Sequence, residues 1–282
     1  MSSFAIAALV LVSAALHALW NALIKRERDV RAATLAVLTI AVALSATAAL
    51  LQRSWFPSTA ALACALASGV CEAGYFATLS RSLEVAPLGH YYPIARGGAL
   101  LIVWPVSVIW LGERAASSSL AGAVLVTVGL FAIGLAHRQE SGGDWRRNGL
   151  GWALASAVFI ASYNLLYKEA VALGSEPATL FTMSISIALV LNVTVLGNQR
   201  KNIIAVLSRS PAAMIVAGVL CCLSFWIFLF CLGRGGAGAM VTLRNSSVLF
   251  AQGCSWWLGE RLGAVQIGGA IAIAAGAILL TV

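Results

Sequence analysis

The sequence predicts an all-α integral membrane protein with ten transmembrane helices arranged as two inverted five-helix repeats. Three observations carry this prediction. Of 282 residues, 61% are hydrophobic and only 10% are charged, against roughly 25% charge in a soluble domain, and mean hydropathy is +0.93. Apolar runs of about 20 residues, the length that crosses a hydrocarbon core, recur along the whole chain. Short motifs of the first half also return in the second at a nearly fixed offset. With two aspartates, Asp29 and Asp144, and eight glutamates, the chain has too little polar surface to coat a water-facing particle. A membrane β-barrel would show alternating strands of about ten residues, whereas Leu120 to Ala136 is apolar on every face.

Apolar runs bounded by charge, proline or Gly-polar clusters place the spans at 4–24, 33–51, 60–80, 88–110, 117–136, 149–169, 178–196, 211–232, 239–258 and 263–281. The first begins without a basic leader and is long enough to span, so it reads as an uncleaved helix. It closes at Lys25-Arg26-Glu27-Arg28. The second holds no acid, and the third carries Glu72 about twelve residues in. The fourth follows Pro87 and contains Pro93, Arg96 and Pro105, so kinks are expected there. The fifth runs to the polar stretch 138–148, which reads as a central loop between repeats at 1–137 and 149–282. The sixth carries Tyr163 and Asn164, and the seventh again lacks an acid. The eighth begins at Pro211, the ninth contains Arg244, and the tenth is rich in glycine.

The duplication rests on three ordered matches. WNALIK at 20–25 is echoed by YNLLYK at 163–168, an offset of 143, and Leu111-Gly112-Glu113-Arg114 recurs as Leu258-Gly259-Glu260-Arg261, an offset of 147. Gly122 and Gly129 recur as Gly269 and Gly276 at that same offset. Five helices is an odd number, so the second repeat enters the membrane from the opposite side, which is transporter architecture. Lys and Arg concentrate in the odd-numbered loops, twelve against four in the alternate loops. The positive-inside rule therefore puts both termini outside. The net charge of +8 is accounted for by these loops, so nucleic acid is not an expected partner. Six cysteines within apolar runs show neither disulfide nor zinc spacing. No metal or cofactor is expected.

HALWNALIK at 17–25, APLGHYYPIARG at 86–97 leading into the first LGER, and the second LGER before a glycine-rich last helix resemble the EamA-type ten-helix members of the drug/metabolite transporter superfamily. The resemblance covers nearly the whole chain. It implies a secondary transporter, often an exporter of amino acids, other metabolites or toxic compounds, in a bacterial inner membrane. Many members keep both termini in the cytoplasm, opposite to the charge count here. The related small multidrug resistance proteins use a glutamate in a helix that corresponds to 33–51 and 178–196 of this chain. Neither segment contains an acid.

Ionisable groups inside a membrane are functional candidates by default. Glu72 reads either as a proton or substrate site or as the fixed partner of an arginine, and Tyr75 shares its helix face. Arg96, one turn after Tyr92, and Arg244 occupy near-equivalent places in the two halves. Their forks suit a carboxylate or phosphate, or else one neutralises Glu72 and the other snorkels or caps carbonyls. His17, Trp20 and Asn21 share one face, and Asn164 repeats the asparagine. These either bind substrate, with His17 relaying protons, or glue helices. His90 and Tyr91 read as lying near a helix end, and Trp226 and Trp104 as an aromatic wall or as core. LGER reads as a turn that holds Glu113 or Glu260 near the N-terminus of the following helix. The glycine pairs permit close packing.

The function these residues point to is export or exchange of a small polar metabolite, amino acid-like, zwitterionic or anionic. Substrate contacts would come from Glu72, Arg96, Arg244, Tyr75, Tyr92, Asn21, Asn164, His17 and Trp226, and proton coupling from Glu72 or His17. The expected partners are the substrate, the bilayer and a proton, with the chain acting as monomer or homodimer. No P-loop is present, so a gradient must drive the process. The rival readings are an intramembrane enzyme, for which HExxH, GxSxG and a second deep acid are missing, and a membrane scaffold.

Overall fold

The computed structural model describes residues 2–85, 88–113, 117–140, 145–195, 200–257 and 263–279, and these are helical with no strand among them. The helices are α1 (Ser3–Lys25), α2 (Val30–Gln52), α3 (Thr59–Val85), α4 (Leu88–Ile109), α5 (Ser117–Glu140), α6 (Trp145–Ala172), α7 (Pro177–Val195), α8 (Arg200–Arg209), α9 (Pro211–Leu232), α10 (Ala237–Arg244), α11 (Ser247–Trp257) and α12 (Ala264–Leu279). Six segments are long and apolar enough to cross a membrane: α1, α2, α3, α9 and most of α6 and α7. Charge is distributed as in a membrane protein. Glu72, Arg96 and Arg244 are buried, while Leu50, Leu51, Ile109 and Ile271 face outward, together with Trp55, Trp110, Trp256 and Trp257, the residue that gathers at membrane interfaces.

The sequence sets the helix ends. Asp29 caps α2 by accepting the Ala32 N–H at 2.9 Å, and Ser58 caps α3 by accepting that of Ala61 at 3.1 Å, each satisfying a donor the helix leaves open. Pro177 and Pro211 open α7 and α9, where a missing N–H costs nothing. The two motif lysines do equivalent work. Lys25 donates to the Leu83 carbonyl near the end of α3. Lys168 donates to the carbonyls of Leu232 at 3.1 Å and Gly235 at 2.6 Å, at the end of α9. A cation there complements the negative helix terminus.

In packing, α1 lies against α9, α2 against α7 and α9, α3 against α6 and α7, and α4 against α5 and α6. The repeated glycines bring α5 and α12 together. A Cβ on Gly129 would stand 2.6 Å from the Gly269 carbonyl oxygen, and one on Gly276 would stand 2.7 Å from that of Gly122. The two contacts interchange when each residue is replaced by its equivalent in the other half.

The expectation of ten continuous helices is corrected in three places. The span expected at 239–258 is two helices, α10 and α11. They are joined by a tightened turn in which Ser246, Val248 and Leu249 donate to carbonyls three residues back, those of Leu243, Asn245 and Ser246. The fourth span, α4, runs through Pro93 and Pro105 as one helix, with Pro105 exposed. Residues 200–209 add a helix between the seventh and eighth spans. Most of the expected central loop at 138–148 is taken up by α5 and α6, which run to Glu140 and from Trp145. Polar residues without proline do not stop a helix. Residues 141–144 lie outside the described residues.

Candidate functional site

Residues of α1, α3, α4, α9 and α10 converge on His17, which is fully buried. Its ring meets donors from several sides. Trp20 Nε1 lies 3.4 Å from Nδ1, one turn along the same helix. Arg244 Nη2, from the end of α10, lies 3.3 Å from that same nitrogen. Arg96 Nη2, from α4, contacts Nε2, and Tyr75 Oη, from α3, lies 3.4 Å away from it. A neutral imidazole has one acceptor nitrogen and one N–H, so it can satisfy one of the two guanidinium groups and not both. Asn245, next to Arg244, donates to the Arg96 carbonyl at 3.0 Å, tying the two arginine-bearing segments together.

Neither arginine lies within 4.0 Å of a carboxylate among the described residues. Arg244 sits over Phe228 at 4.0 Å and over Phe225 at 4.4 Å, and Arg96 lies 5.7 Å from the Tyr92 ring. Arg96 Nη1 and Arg244 Nε and Nη1 are buried with no hydrogen-bond partner, as are the hydroxyls of Tyr91, Tyr92 and Tyr163. A ring face returns up to about 2 kcal/mol to a desolvated cation. A mid-membrane arginine costs about 3 kcal/mol even on the gentlest scale. Ring faces can therefore offset much of that cost, but they accept no hydrogen bond in the guanidinium plane, where three nitrogens stay without a partner.

Glu72 is held by a different set of groups. Its Oε2 accepts from Ser184 on α7 at 2.8 Å, and Ser184 accepts from Tyr167 on α6 at 2.9 Å. The other carboxyl oxygen has no partner. The reading of Glu72 as the fixed partner of an arginine is thus replaced by a carboxyl held by hydroxyls. The site is also richer in aromatics than expected. Tyr163 stands 5.6 Å from both Tyr75 and Tyr167, and Phe225 lies 5.7 Å from His17. Tyr163 and Tyr167 stand four apart within YNLLYK, a signal that was present in the sequence. Phe225, Phe228 and Ser184 sit in featureless apolar runs.

Several expectations change. Asn21 and Asn164 do not bridge helices. Each donates to the carbonyl four residues back, His17 at 2.8 Å and Ile160 at 2.6 Å, leaving both Oδ1 atoms without a partner. Trp226 lies away from the cluster. It donates to Ser45 on α2 at 3.1 Å and lines a separate groove of about 310 Å³ with Leu9, Gln52, Glu176 and Phe230. Trp104 donates to Thr242 on α10 at 2.8 Å. Tyr91, expected near an interface, is buried. Among the described residues, Glu113 serves a helix far along the chain rather than α5. Its carboxylate accepts from the backbone N–H of Ala237 at 2.6 Å and of Gly238 at 3.3 Å, at the start of α10, with Lys168 4.0 Å away. Gly112 allows this by adopting φ +63°, a left-handed conformation that suits glycine. Glu260 and the rest of the second LGER lie outside the described residues, as does the His90 side chain.

No curated protein matches the chain. A crystal structure titled only "Crystal structure of protein" shares the fold, with a TM-score of 0.74 over 98% of this chain and 95% of that one at 17% identity. The sequence model of the EamA-like transporter family matches residues 147–282. The apolar exterior and charged interior are those of a multi-pass membrane protein, and the match places its second half, 147–282, with the EamA-like transporters of the drug/metabolite transporter superfamily.

Proposed function

We propose that the protein is a secondary transporter of a bacterial inner membrane that exports or exchanges a small polar metabolite, amino acid-like, zwitterionic or anionic. Two inverted five-helix repeats, 1–137 and 149–282, alternate access to a site between them. The observation that carries this reading is the meeting of Arg96 and Arg244, near-equivalent positions of the two halves, on one buried histidine. A group bound there touches both halves at once, as rocking of one repeat against the other requires. The glycine contact of α5 with α12 and the matched lysine caps support the duplication. His17, Tyr75 and Tyr92 surround the bound group, Asn21 and Asn164 offer acceptor oxygens nearby, and Glu72 couples a proton.

Counterflow in proteoliposomes loaded with amino acids, organic acids, organophosphates and polyamines tests the reading, in wild type and Glu72→Gln. The expected result is exchange of an anionic or zwitterionic solute, sensitive to a pH gradient in the wild type and insensitive in the variant. Absence of exchange for every solute, with folded protein in the vesicles, overturns it.

A further inference from the structure

We propose that Arg96 and Arg244 form a two-fork clamp for one oxyanion, a phosphoryl or carboxylate group of the substrate, which replaces His17 as the acceptor the two guanidiniums share. This rests on the transport reading and names the class of cargo.

Around His17 stand two guanidiniums, an indole N–H and a phenol, while the neutral ring offers one acceptor. Three further guanidinium nitrogens, Nη1 of Arg96 and both Nε and Nη1 of Arg244, are buried without a partner. No acceptor among the described residues reaches those three nitrogens: Glu72 Oε2 accepts from Ser184, and the hydroxyls of Tyr91, Tyr92 and Tyr163 stand without a partner of their own. An oxyanion has several lone pairs on one small group and can accept from two planar forks together. A cation is repelled by both arginines, and a neutral polyol accepts too weakly to offset their desolvation.

The clamp also has a mechanical side. Arg96 projects from the unbroken helix α4, and Arg244 ends α10, just before the tightened turn into α11. Asn245 holds that turn to the α4 backbone. An anion gripped by both forks draws the two segments onto itself, and its release leaves each arginine to compete for the single acceptor of His17. Occupancy and closure are thereby linked through one hydrogen-bonding mismatch.

The test is a binding measurement that does not depend on flux. The full chain is reconstituted in nanodiscs of zwitterionic lipid, and its unfolding midpoint is titrated with inorganic phosphate, glycerol 3-phosphate, succinate and glutamate, with putrescine and glucose as comparisons at constant ionic strength. At least one of the four anions is expected to raise the midpoint saturably. Arg96→Lys and Arg244→Lys, which keep the charge but lose the fork, should each weaken that effect tenfold or more. A phosphate-only response assigns a phosphoryl group, and a response to succinate or glutamate alone assigns a carboxylate. Saturable stabilisation by putrescine or glucose alone overturns the clamp, as does an anion effect indifferent to both folded lysine variants. Arginine-dependent binding without counterflow keeps the clamp and removes transport. Counterflow of a cation, unaffected by either variant, does the reverse.

Discussion

Replacing Gly129 by alanine should separate α5 from α12. The added Cβ would stand 2.6 Å from the Gly269 carbonyl oxygen and 2.9 Å from Ile273. Restoring an ordinary contact of about 3.4 Å requires roughly 0.8 Å of movement by backbone rather than by a flexible side chain. Overpacking of this kind costs about 1–3 kcal/mol, set against a gain of about 1 kcal/mol from replacing a helical glycine. Gly268→Ala, on the facing helix where nothing lies within 4 Å, collects the gain alone. The two variants should therefore differ by about 1–3 kcal/mol, or several degrees at about 2–4 °C per kcal/mol in a chain of this size. Gly276→Ala, the equivalent substitution against Gly122, should behave like Gly129→Ala. Thermal unfolding in detergent, followed with a thiol-reactive fluorophore on the buried cysteines Cys221, Cys222, Cys231 and Cys254, reads the difference directly. Equal midpoints for Gly129→Ala and Gly268→Ala, both above wild type, would refute the close approach.

Two other substitutions probe the Glu113 cap and the bond from Trp226 to Ser45. Glu113→Gln keeps one acceptor for the Ala237 and Gly238 amides but removes the charge, so it should cost about 1 kcal/mol, read in the same melting assay. A midpoint equal to wild type would remove the carboxylate from the α10 cap. Trp226→Phe loses the bond to Ser45 and should likewise cost about 1 kcal/mol, while KM in counterflow stays put. A threefold or larger rise in KM would return Trp226 to the binding site.

The spans were legible because their ends carry plain marks. Charge closes α1, and proline opens α7 and α9. The break at Asn245 and Ser246 was not legible, since neither residue forbids a helix, and the turn there is held by contact with α4 rather than by its own composition. Proline did not end α4, which runs through Pro93 and carries Pro105 on its exposed side. In the site, each charge stood out against an apolar background, so Glu72, Arg96 and Arg244 could be named. Their partners could not. Phe225 and Phe228 look like any other residue of an apolar run, and the amides capped by Glu113 lie 124 and 125 residues away. Helical spacing records which residues share a face, but not which distant face they meet.

The broken helix has a consequence for energetics. Arg96 stands on a continuous rod and Arg244 at a joint, while His17 has Ile160 as its counterpart in the second half. Two halves related by a pseudo-axis would have mirror-image states of equal energy only if their centres were chemically alike. Here they are not, so under the proposed alternating-access cycle the two end states would differ in energy, and the population at rest would report that built-in bias rather than the cargo.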